Sequence, residues 1–440
     1  MGSNCNSQYK KTEIGLVPDD WEMKSAEDFC QRVTDGTHAS PEKLEEGHHL
    51  ITSRHIKQGG LDFDNAYFIS DRDFDEANKR SKVSQWDVIF GMIGTIGEIY
   101  LEKSDKIDYA IKNVGLFKCG NELFGKWLFF YLKSNLAKEY IRRSRSGTTQ
   151  EYMTLDSLRK FPIVYPKNAE EMQKIVTFLV SIQNRIELCS LMNNNLEDIG
   201  QTIFKRWFVD FEFPNEEGKP YKSSGGEMIY SEIGEIPRDW EVATIGKLAS
   251  SVTYGYTQSA SSVPIGPKFL RITDIQGGKI DWALVPYCEI NQDDSRFSLR
   301  SGDIVVARTG ASTGENVYIE ECPKSVFASY LIRIRFADKN LARYVAKFMR
   351  SPRYQDYIAN SIGGSAQPNA SAGTLTNMQV TVPTHTVLAR FGKLVEILEL
   401  AKYRNTTEIA TLTMIRNLLL PRLMSGKIRV PVQKEKVKVL

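Results

Sequence analysis

The chain is written twice, and that repeat constrains its fold more than any other feature. Glu13-Ile14-Gly15-Leu16-Val17-Pro18-Asp19-Asp20-Trp21-Glu22 returns as Glu232-Ile233-Gly234-Glu235-Ile236-Pro237-Arg238-Asp239-Trp240-Glu241. Ile56-Lys57-Gln58-Gly59-Gly60 resembles Ile275-Gln276-Gly277-Gly278. Trp86-Asp87-Val88-Ile89, followed by Gly94 and Gly97, resembles Gly302-Asp303-Ile304-Val305, followed by Gly310 and Gly314. Lys133-Ser134 then matches Arg350-Ser351, and Tyr140-Ile141, Gln150, Leu158 and Pro166 match Tyr357-Ile358, Gln367, Leu375 and Pro383. A last block aligns Leu196, Ile199, Ile203 and Arg206 with Leu412, Ile415, Leu419 and Arg422. A period of about 217 residues is far longer than a solenoid repeat. Matching blocks in one order therefore describe a duplicated domain pair.

Each copy has two parts. The first is mixed α and β: short runs such as Asp87–Phe90, Asp303–Ala307 and Tyr330–Phe336 read as strands between Gly-rich turns. A helical stretch follows, Lys126–Arg145 in one copy and Asn340–Ile358 in the other. The second part reads as one long helix. Ile175, Leu179, Ile182, Ile186, Cys189, Asn193, Leu196, Ile199 and Ile203 recur at alternating steps of three and four. Phe391, Val395, Leu398, Lys402, Asn405, Ile409, Leu412, Ile415 and Leu419 do the same. That is the seam of a coiled coil, and the natural partner of each helix is the other. Asn193 and Asn405 fall on the seam, where a polar residue costs stability and fixes register.

Composition excludes some classes. No run approaches the ~18 consecutive apolar residues of a membrane helix, and the opening lacks a signal-peptide core. The six cysteines form no C-x-x-C pair and the five histidines no H-E-x-x-H, so no metal site is expected, and a reducing cytoplasm fits. Net charge is only +3, so any nucleic-acid surface must be local. Lys133, Lys138, Arg142, Arg143 and Arg145 crowd one segment, and Arg343, Lys347, Arg350 and Arg353 crowd another at the matching place. Such helices read either as solvated faces or as phosphate contacts.

Two kinds of loop suit base or phosphate contact. The Gly-rich loops Gly91–Gly97 and Ala307–Gly314 each follow a strand; they read as tight connections or as close approaches to DNA, with Arg308 and Thr309 placed to contact it. The loops Ser146-Gly147-Thr148-Thr149-Gln150 and Gly363-Gly364-Ser365-Ala366-Gln367 follow the basic helices, and their hydroxyls and glutamine suit phosphate and adenine. The expected DNA-binding set is Lys133, Lys138, Arg142, Arg143, Gly147, Thr148, Thr149, Gln150, Arg308, Thr309, Arg343, Lys347, Arg350, Gly364, Ser365 and Gln367. Catalytic machinery is not expected: there is no N-P-P-Y or D-P-P-Y tetrapeptide and no G-x-G-x-x-G fingerprint. Gly120–Lys126 imitates a phosphate loop, but Trp127 stands where the magnesium-binding hydroxyl belongs.

The duplicated I-G-x-x-P-x-x-W opening, the basic helix, the S-G-x-x-Q loop, the V-x-x-P ending and the long helix closing on Phe204-Lys205-Arg206-Trp207-Phe208 resemble the specificity subunits of type I restriction–modification enzymes. The resemblance runs from about Glu13 to Gly426. It implies an α+β fold: two mixed target-recognition domains joined by two long antiparallel helices in a coiled coil, with an internal pseudo-two-fold repeat. It implies that each domain reads one half of a split double-stranded DNA site. It also implies that two methyltransferase subunits dock on the chain, with Phe204, Arg206, Trp207, Phe208, Leu420, Arg422 and Leu423 as the expected contacts, and that motor-nuclease subunits join for cleavage. S-adenosylmethionine, ATP and magnesium belong to those partners, leaving this chain with no cofactor, no metal and no catalytic residue. The expected layout is a flexible 1–12, recognition domain 13–166, helix 167–212, linker 213–228, recognition domain 229–383, helix 384–427 and a basic tail 428–440. Copy two departs from copy one in Gly364-Ser365-Ala366-Gln367 and in ending on Leu420-Pro421-Arg422-Leu423-Met424. Two alternatives remain at this point: a stand-alone methyltransferase or nuclease reading its own site, and a coiled-coil adaptor that binds no DNA.

Overall fold

A computed structural model describes residues 9–57, 60–147, 151–290, 292–362 and 369–431, with the backbone alone at 292–294. Its contacts divide the chain into two units, 1–189 with 407–440, and 190–406. Both divisions fall inside the long helices Ala169–Phe208 and His385–Met424, each of 40 residues, or ~60 Å at 1.5 Å per residue. Gly200 and Pro421 lie within these helices rather than ending them.

In the first unit Tyr9–Thr12 pairs with Gly15–Pro18 in a hairpin, so residues 9–12 are not loose. Trp21–Ser25 then pairs with the distant strand Pro162–Pro166, closing the domain on itself. At its centre is a four-stranded antiparallel sheet in the order Ile99–Leu101, Val88–Gly91, Val114–Lys118, Arg32–Asp35. A second sheet pairs Tyr109–Ile111 in parallel with His48–Ile51, which Phe68–Ile69 flanks.

The second unit repeats this plan, without a counterpart of the flanking strand Phe68–Ile69 among the described residues. Its hairpin is Met228–Ser231/Gly234–Pro237, and Glu241–Thr244 pairs with Gln379–Val382. Its four-stranded sheet runs Ser251–Tyr254, Leu331–Arg335, Asp303–Ala307, Asn316–Tyr318, and Lys268–Leu270 pairs in parallel with Ser325–Phe327. The repeated Asp at the head of the central strand is structural. Asp87 takes Lys118 Nζ at 2.7 Å and the Ser84 N–H at 2.8 Å. Asp303 takes Arg335 Nε at 2.6 Å and the Arg300 N–H at 2.9 Å. Each carboxylate is buried, and an ion pair with backbone bonds offsets the cost of desolvation.

The helical stretches expected over 126–145 and 340–358 are each built of two helices. Helices Glu122–Leu132 and Asn135–Arg143 meet at Ser134, whose hydroxyl caps the Ala137 N–H. Helices Lys339–Met349 and Pro352–Ser361 meet at Ser351, which caps Tyr354, with Pro352 in the first turn. A serine N-cap satisfies an otherwise orphaned donor, and Pro at the first helical position cannot continue a preceding helix. The linker 213–228 is packed rather than loose: Phe213 is buried and stacks on Trp240 at 5.1 Å and Tyr221 at 4.6 Å.

The long helices supply core to both units. By length and composition the first would pass as a membrane span. Part of that apolarity is buried: Ile175, Val176 and Leu179 lie in the core of the first unit, Phe204, Trp207 and Phe208 in that of the second. In the first unit Gln183 accepts from Arg416 at 2.9 Å and Arg185 pairs with Glu408 at 2.6 Å. In the second, Asn193 meets Asn405 and Glu197 meets Lys402. Rising numbers on one helix face falling numbers on the other, so the segments run antiparallel within each unit. The Asn405 amide donates to the Asn193 carbonyl oxygen at 2.9 Å, and both side chains are buried. The seam departs from expectation at Ile199, which is 47% exposed, while Gly200 is buried in its place.

Asn405→Ala leaves the buried Asn193 carbonyl oxygen without its donor, while Nδ2 keeps Thr406, and is expected to cost about 1–3 kcal/mol. Replacing both by leucine removes the polar pair from the seam and restores or exceeds the native stability. Urea titrations of the two variants check this; a double variant as unstable as the single contradicts it.

Candidate nucleic-acid interface

The two Gly-rich loops are first of all tight strand connections. Gly94 and Gly310 adopt φ of 74° and 76° with open space where a Cβ would stand, so backbone conformation alone demands glycine there. Each loop is tied at the same points to a later segment. The Met153 N–H donates to the Met92 carbonyl at 2.9 Å, and the Ala370 N–H donates to the Arg308 carbonyl at 2.8 Å. Ile93 bridges Tyr152 as Thr309 bridges Asn369. Arg308 and Met92 are thus equivalent positions carrying different chemistry.

Arg308 is held from several sides. Its guanidinium lies 4.9 Å from the centre of the Tyr254 ring. Nη2 donates to Asn369 Oδ1 at 3.0 Å and Nε to the Ala370 carbonyl at 3.4 Å. The Tyr254 hydroxyl is itself pinned by the Ala372 N–H at 3.0 Å. Among the described residues Nη1 makes no hydrogen bond, which leaves the Nη1/Nη2 edge as the fork available to an acceptor pair. An arginine fixed in this way reaches a guanine O6/N7 edge with little rotamer entropy left to lose. Tyr254 and Asn369 were invisible in the sequence as parts of this element; the only signal was Asn369 lying just beyond Gln367.

The basic clusters differ between the copies. In the first, Lys138, Arg142 and Arg143 lie on the exposed side of helix Asn135–Arg143. Arg142 and Arg143 share Glu139 at 2.8 and 2.7 Å, and these bonds hold the Glu139 carboxyl down at about 2. Gly147, exposed with φ of 97°, follows them. Lys133 is different: its ammonium sits 3.9 Å from the Phe129 ring centre, and burial, with Arg416 nearby, pushes it down to about 8. Thr148, Thr149, Gln150, Gly364, Ser365 and Gln367 lie outside the described residues.

In the second copy the expected phosphate contacts Arg343, Lys347 and Arg350 are turned inward, which corrects their assignment. Lys347, 7% exposed, donates to Glu197 at 2.7 Å and lies 3.8 Å from Glu399. Arg350 reaches Glu197 at 3.3 Å and the Gly278 carbonyl at 2.9 Å. Arg343 pairs with Glu320 at 3.0 Å and Glu396 at 3.6 Å. Lys402 completes the cluster on Glu197 at 2.6 Å. The three cations Lys347, Arg350 and Lys402 thus meet two carboxylates, Glu197 and Glu399. Burial alone would raise the Glu197 carboxyl, but Lys347, Arg350 and Lys402 outweigh it and hold it well below its ordinary range. Burial pushes the Lys347 ammonium down. Both directions follow from burying an excess of positive charge.

The expected partner-binding patch also needs correction. Phe204, Trp207, Phe208, Leu420 and Leu423 are each less than 9% exposed, the first three in the core of the second unit and the last two in that of the first. Only Arg206 and Arg422 of that set face solvent. Phe204 and Phe208 still floor a recess of about 620 Å³ that Arg353 and Ser351 help to line. The exposed apolar residues of the long helices are others, among them Leu188, Leu191 and Met192 on the first helix, and Ile397, Leu400, Tyr403, Met414 and Leu418 on the second. The described start of the tail is packed, with Arg429 pairing Glu171 at 2.7 Å and Asp20 at 2.6 Å.

Residues 18–198 match the family described as the type I restriction modification DNA specificity domain. Over nearly its whole length the chain is similar to the MjaIX specificity subunit of Methanocaldococcus jannaschii, a type I restriction enzyme subunit: 23% identity, 96% of this chain and 97% of the relative. The HindI specificity subunit of Haemophilus influenzae is 23% identical over 79% of this chain and 88% of its own length. The fold resembles the crystal structure of the type I restriction–modification S subunit from M. genitalium, with a TM-score of 0.57, 16% identity and 99% of both chains covered.

Glu197→Ala leaves Lys347 and Lys402 to share Glu399 and Arg350 with the Gly278 carbonyl alone, and is expected to destabilise the chain by about 3–5 kcal/mol. The carboxyl titrates lower folded than unfolded, so its stabilisation is complete above its ordinary value of 4.5 and drains away as pH falls below it. Melting temperature followed from pH 7 to pH 3 checks this. Glu197→Gln, which lacks that titration, should lose less stability than the native chain across the same range.

Proposed function

Because the chain belongs to the family of type I restriction–modification specificity subunits, we propose that it is the non-catalytic, DNA-reading component of a methylation and restriction complex. Recognition domains 13–166 and 229–383 each read one half of a bipartite double-stranded site. The observation that carries this reading is one module built twice with different chemistry at the same loop, Met92 in one copy and Arg308 in the other. A reader of two unlike half-sequences needs a common scaffold and divergent tips.

In this reading Arg308, Thr309, Gly364, Ser365 and Gln367 serve the second half-site. Lys138, Arg142, Arg143 and Gly147 serve the first, with Thr148, Thr149 and Gln150. Arg343, Lys347 and Arg350 anchor the second domain to its helices instead. The helices 167–212 and 384–427 pair as an antiparallel coiled coil and set the unread gap between half-sites. Support comes from the antiparallel contacts inside each unit and the Asn193–Asn405 bond. Two methyltransferase subunits dock on the exposed apolar residues Leu188, Leu191, Leu400, Tyr403 and Leu418, with Arg206 and Arg422 on the polar side. Motor-nuclease subunits join the complex for cleavage, and S-adenosylmethionine, ATP and magnesium reside on these partners. A cytoplasmic location suits a chain whose five described cysteines are all free thiols.

Two experiments test this in a complex assembled with its methyltransferase partner. Arg308→Ala should relax one base pair of one half-site at a cost of about 1–3 kcal/mol, whereas Lys138→Ala should weaken all sequences alike and lower the salt slope by about one. Unchanged affinity and unchanged methylated sequence in Arg308→Ala would remove that residue from the reading head.

Four residues inserted near Asn193 add about 6 Å of helix, close to two base-pair steps. The methylated site should keep both half-sequences and lengthen its centre by one or two base pairs. Full activity with an unchanged centre would show that the helices do not set the gap.

A further inference from the structure

We infer that the first recognition domain reads its half-site through Arg80, fixed by the buried carboxylate of Asp35, which His38 holds from its other oxygen. The inference rests on the reading of the chain as a DNA specificity subunit and names a base-reading residue in its first half.

The place is set by strand ends. In the second unit Tyr254 pairs with Ile332 and Ala307 with Leu331, so Tyr254 and Arg308 emerge together at one end of the four-stranded sheet. In the first unit Asp35 pairs with Gly115 and Gly91 with Val114, so Asp35 and Met92 emerge at the equivalent end. Met92 has no donor to offer a base edge, and Asp35 replaces the aromatic platform under Arg308. The donors at this end come from other elements. Arg80 arrives on the helix Asp71–Ser81. Among the described residues the second unit has no α-helix between its corresponding strands, only the short 3-10 turns Ile272–Asp274 and Gln292–Phe297. His38 arrives on the segment that leaves the strand Arg32–Asp35.

The arrangement is a clamp with one open tip. The Asp35 side chain is 6% exposed; Arg80 Nη2 donates to its Oδ1, and His38 Nε2 lies 3.0 Å from its Oδ2. The other imidazole nitrogen, Nδ1, lies 2.7 Å from Asn113 Oδ1. Asn113 holds a left-handed φ of 53° immediately before the strand Val114–Lys118, as Tyr330 immediately precedes Leu331–Arg335. Arg80 and His38 nonetheless remain 47% and 62% exposed. A carboxylate this deeply buried is unfavourable without partners, and of its two donors here Arg80 keeps free N–H groups toward solvent, whereas both ring nitrogens of His38 are spent on Asp35 and Asn113. A guanidinium anchored through one nitrogen keeps its remaining donors for a second acceptor pair, and the acceptor pair of matching geometry in DNA is guanine O6 and N7. Arg308 uses the same device, with Tyr254 and Asn369 as its anchor. Asp35 and His38 are positioning residues in this scheme, Arg80 the contact.

The test maps methylated sites for the complete complex carrying Arg80→Gln, His38→Ala, Asp35→Asn or Arg308→Ala, with melting curves for each. Arg80→Gln should relax one base pair by roughly tenfold or more in discrimination, in the half-site that Arg308→Ala leaves intact. Asp35→Asn should relax the same pair more weakly, and Arg80→Lys should not restore it, because an ammonium lacks the fork. Should Arg80→Gln assemble poorly, His38→Ala, which alters a loop residue, carries the test in the same half-site. Native melting with the first half-sequence and the affinity unchanged in both Arg80→Gln and His38→Ala would overturn the inference. So would relaxation in the half that Arg308→Ala affects. If the native complex showed no sequence-dependent methylation at all, the reading of the chain as a specificity subunit would fail instead.

Discussion

A helix of 40 residues with an apolar edge cannot cover that edge by itself, and the structure depends on how it is covered. Each unit is completed by helix from both halves of the chain. Leu420, Leu423 and Met424, from the end of the second long helix, lie in the core that holds Trp21 and Trp127. Phe204, Trp207 and Phe208, from the end of the first, lie in the core that holds Trp240 and Tyr344. Neither copy of the repeat therefore owns a complete core. The polar pair Asn193–Asn405 sits on the same seam, where sliding either helix would bury two unpaired amides.

On this shared skeleton the two halves have diverged in how each domain grips its helices. The second buries Lys347 and Arg350 against Glu197. The residues matching Lys347 and Glu197 in the repeat are Phe130 and Thr413, neither of them charged. A buried ionic grip is costly to form and more costly to break by halves, so it favours one orientation over near alternatives. The same divergence appears at the sheet end, where Arg308 stands on an aromatic ring and Arg80 on a carboxylate. Common strands with unlike tips suit a protein that must recognise two different half-sequences with one fold.

The repeat, the strands and the long helices were readable from the residues alone, because each is a local signal. Asp303–Ala307 was expected as a strand and is one. Three-and-four spacing placed Asn193 and Asn405 on the seam without reference to any neighbour, and they bond each other. Which face of a basic helix meets water was not readable. Arg343, Lys347 and Arg350 share a face as their spacing required, yet that face meets Glu197, about 150 residues earlier in the chain and on a different element. The aromatic close of the first helix was read as a partner surface and is core, because its covering side chains, Tyr344 and Phe391, come from elements far along the sequence. Asp35, His38 and Arg80 show the same limit, since only strand pairing and the helix Asp71–Ser81 bring them together. Periodicity reports what lies within a few turns or strand residues, so the sequence by itself determined the elements, their duplication and the seam register. Burial and ion pairing are decided by residues brought close through folding, so only the tertiary structure decided which charges are anchors and which stay exposed.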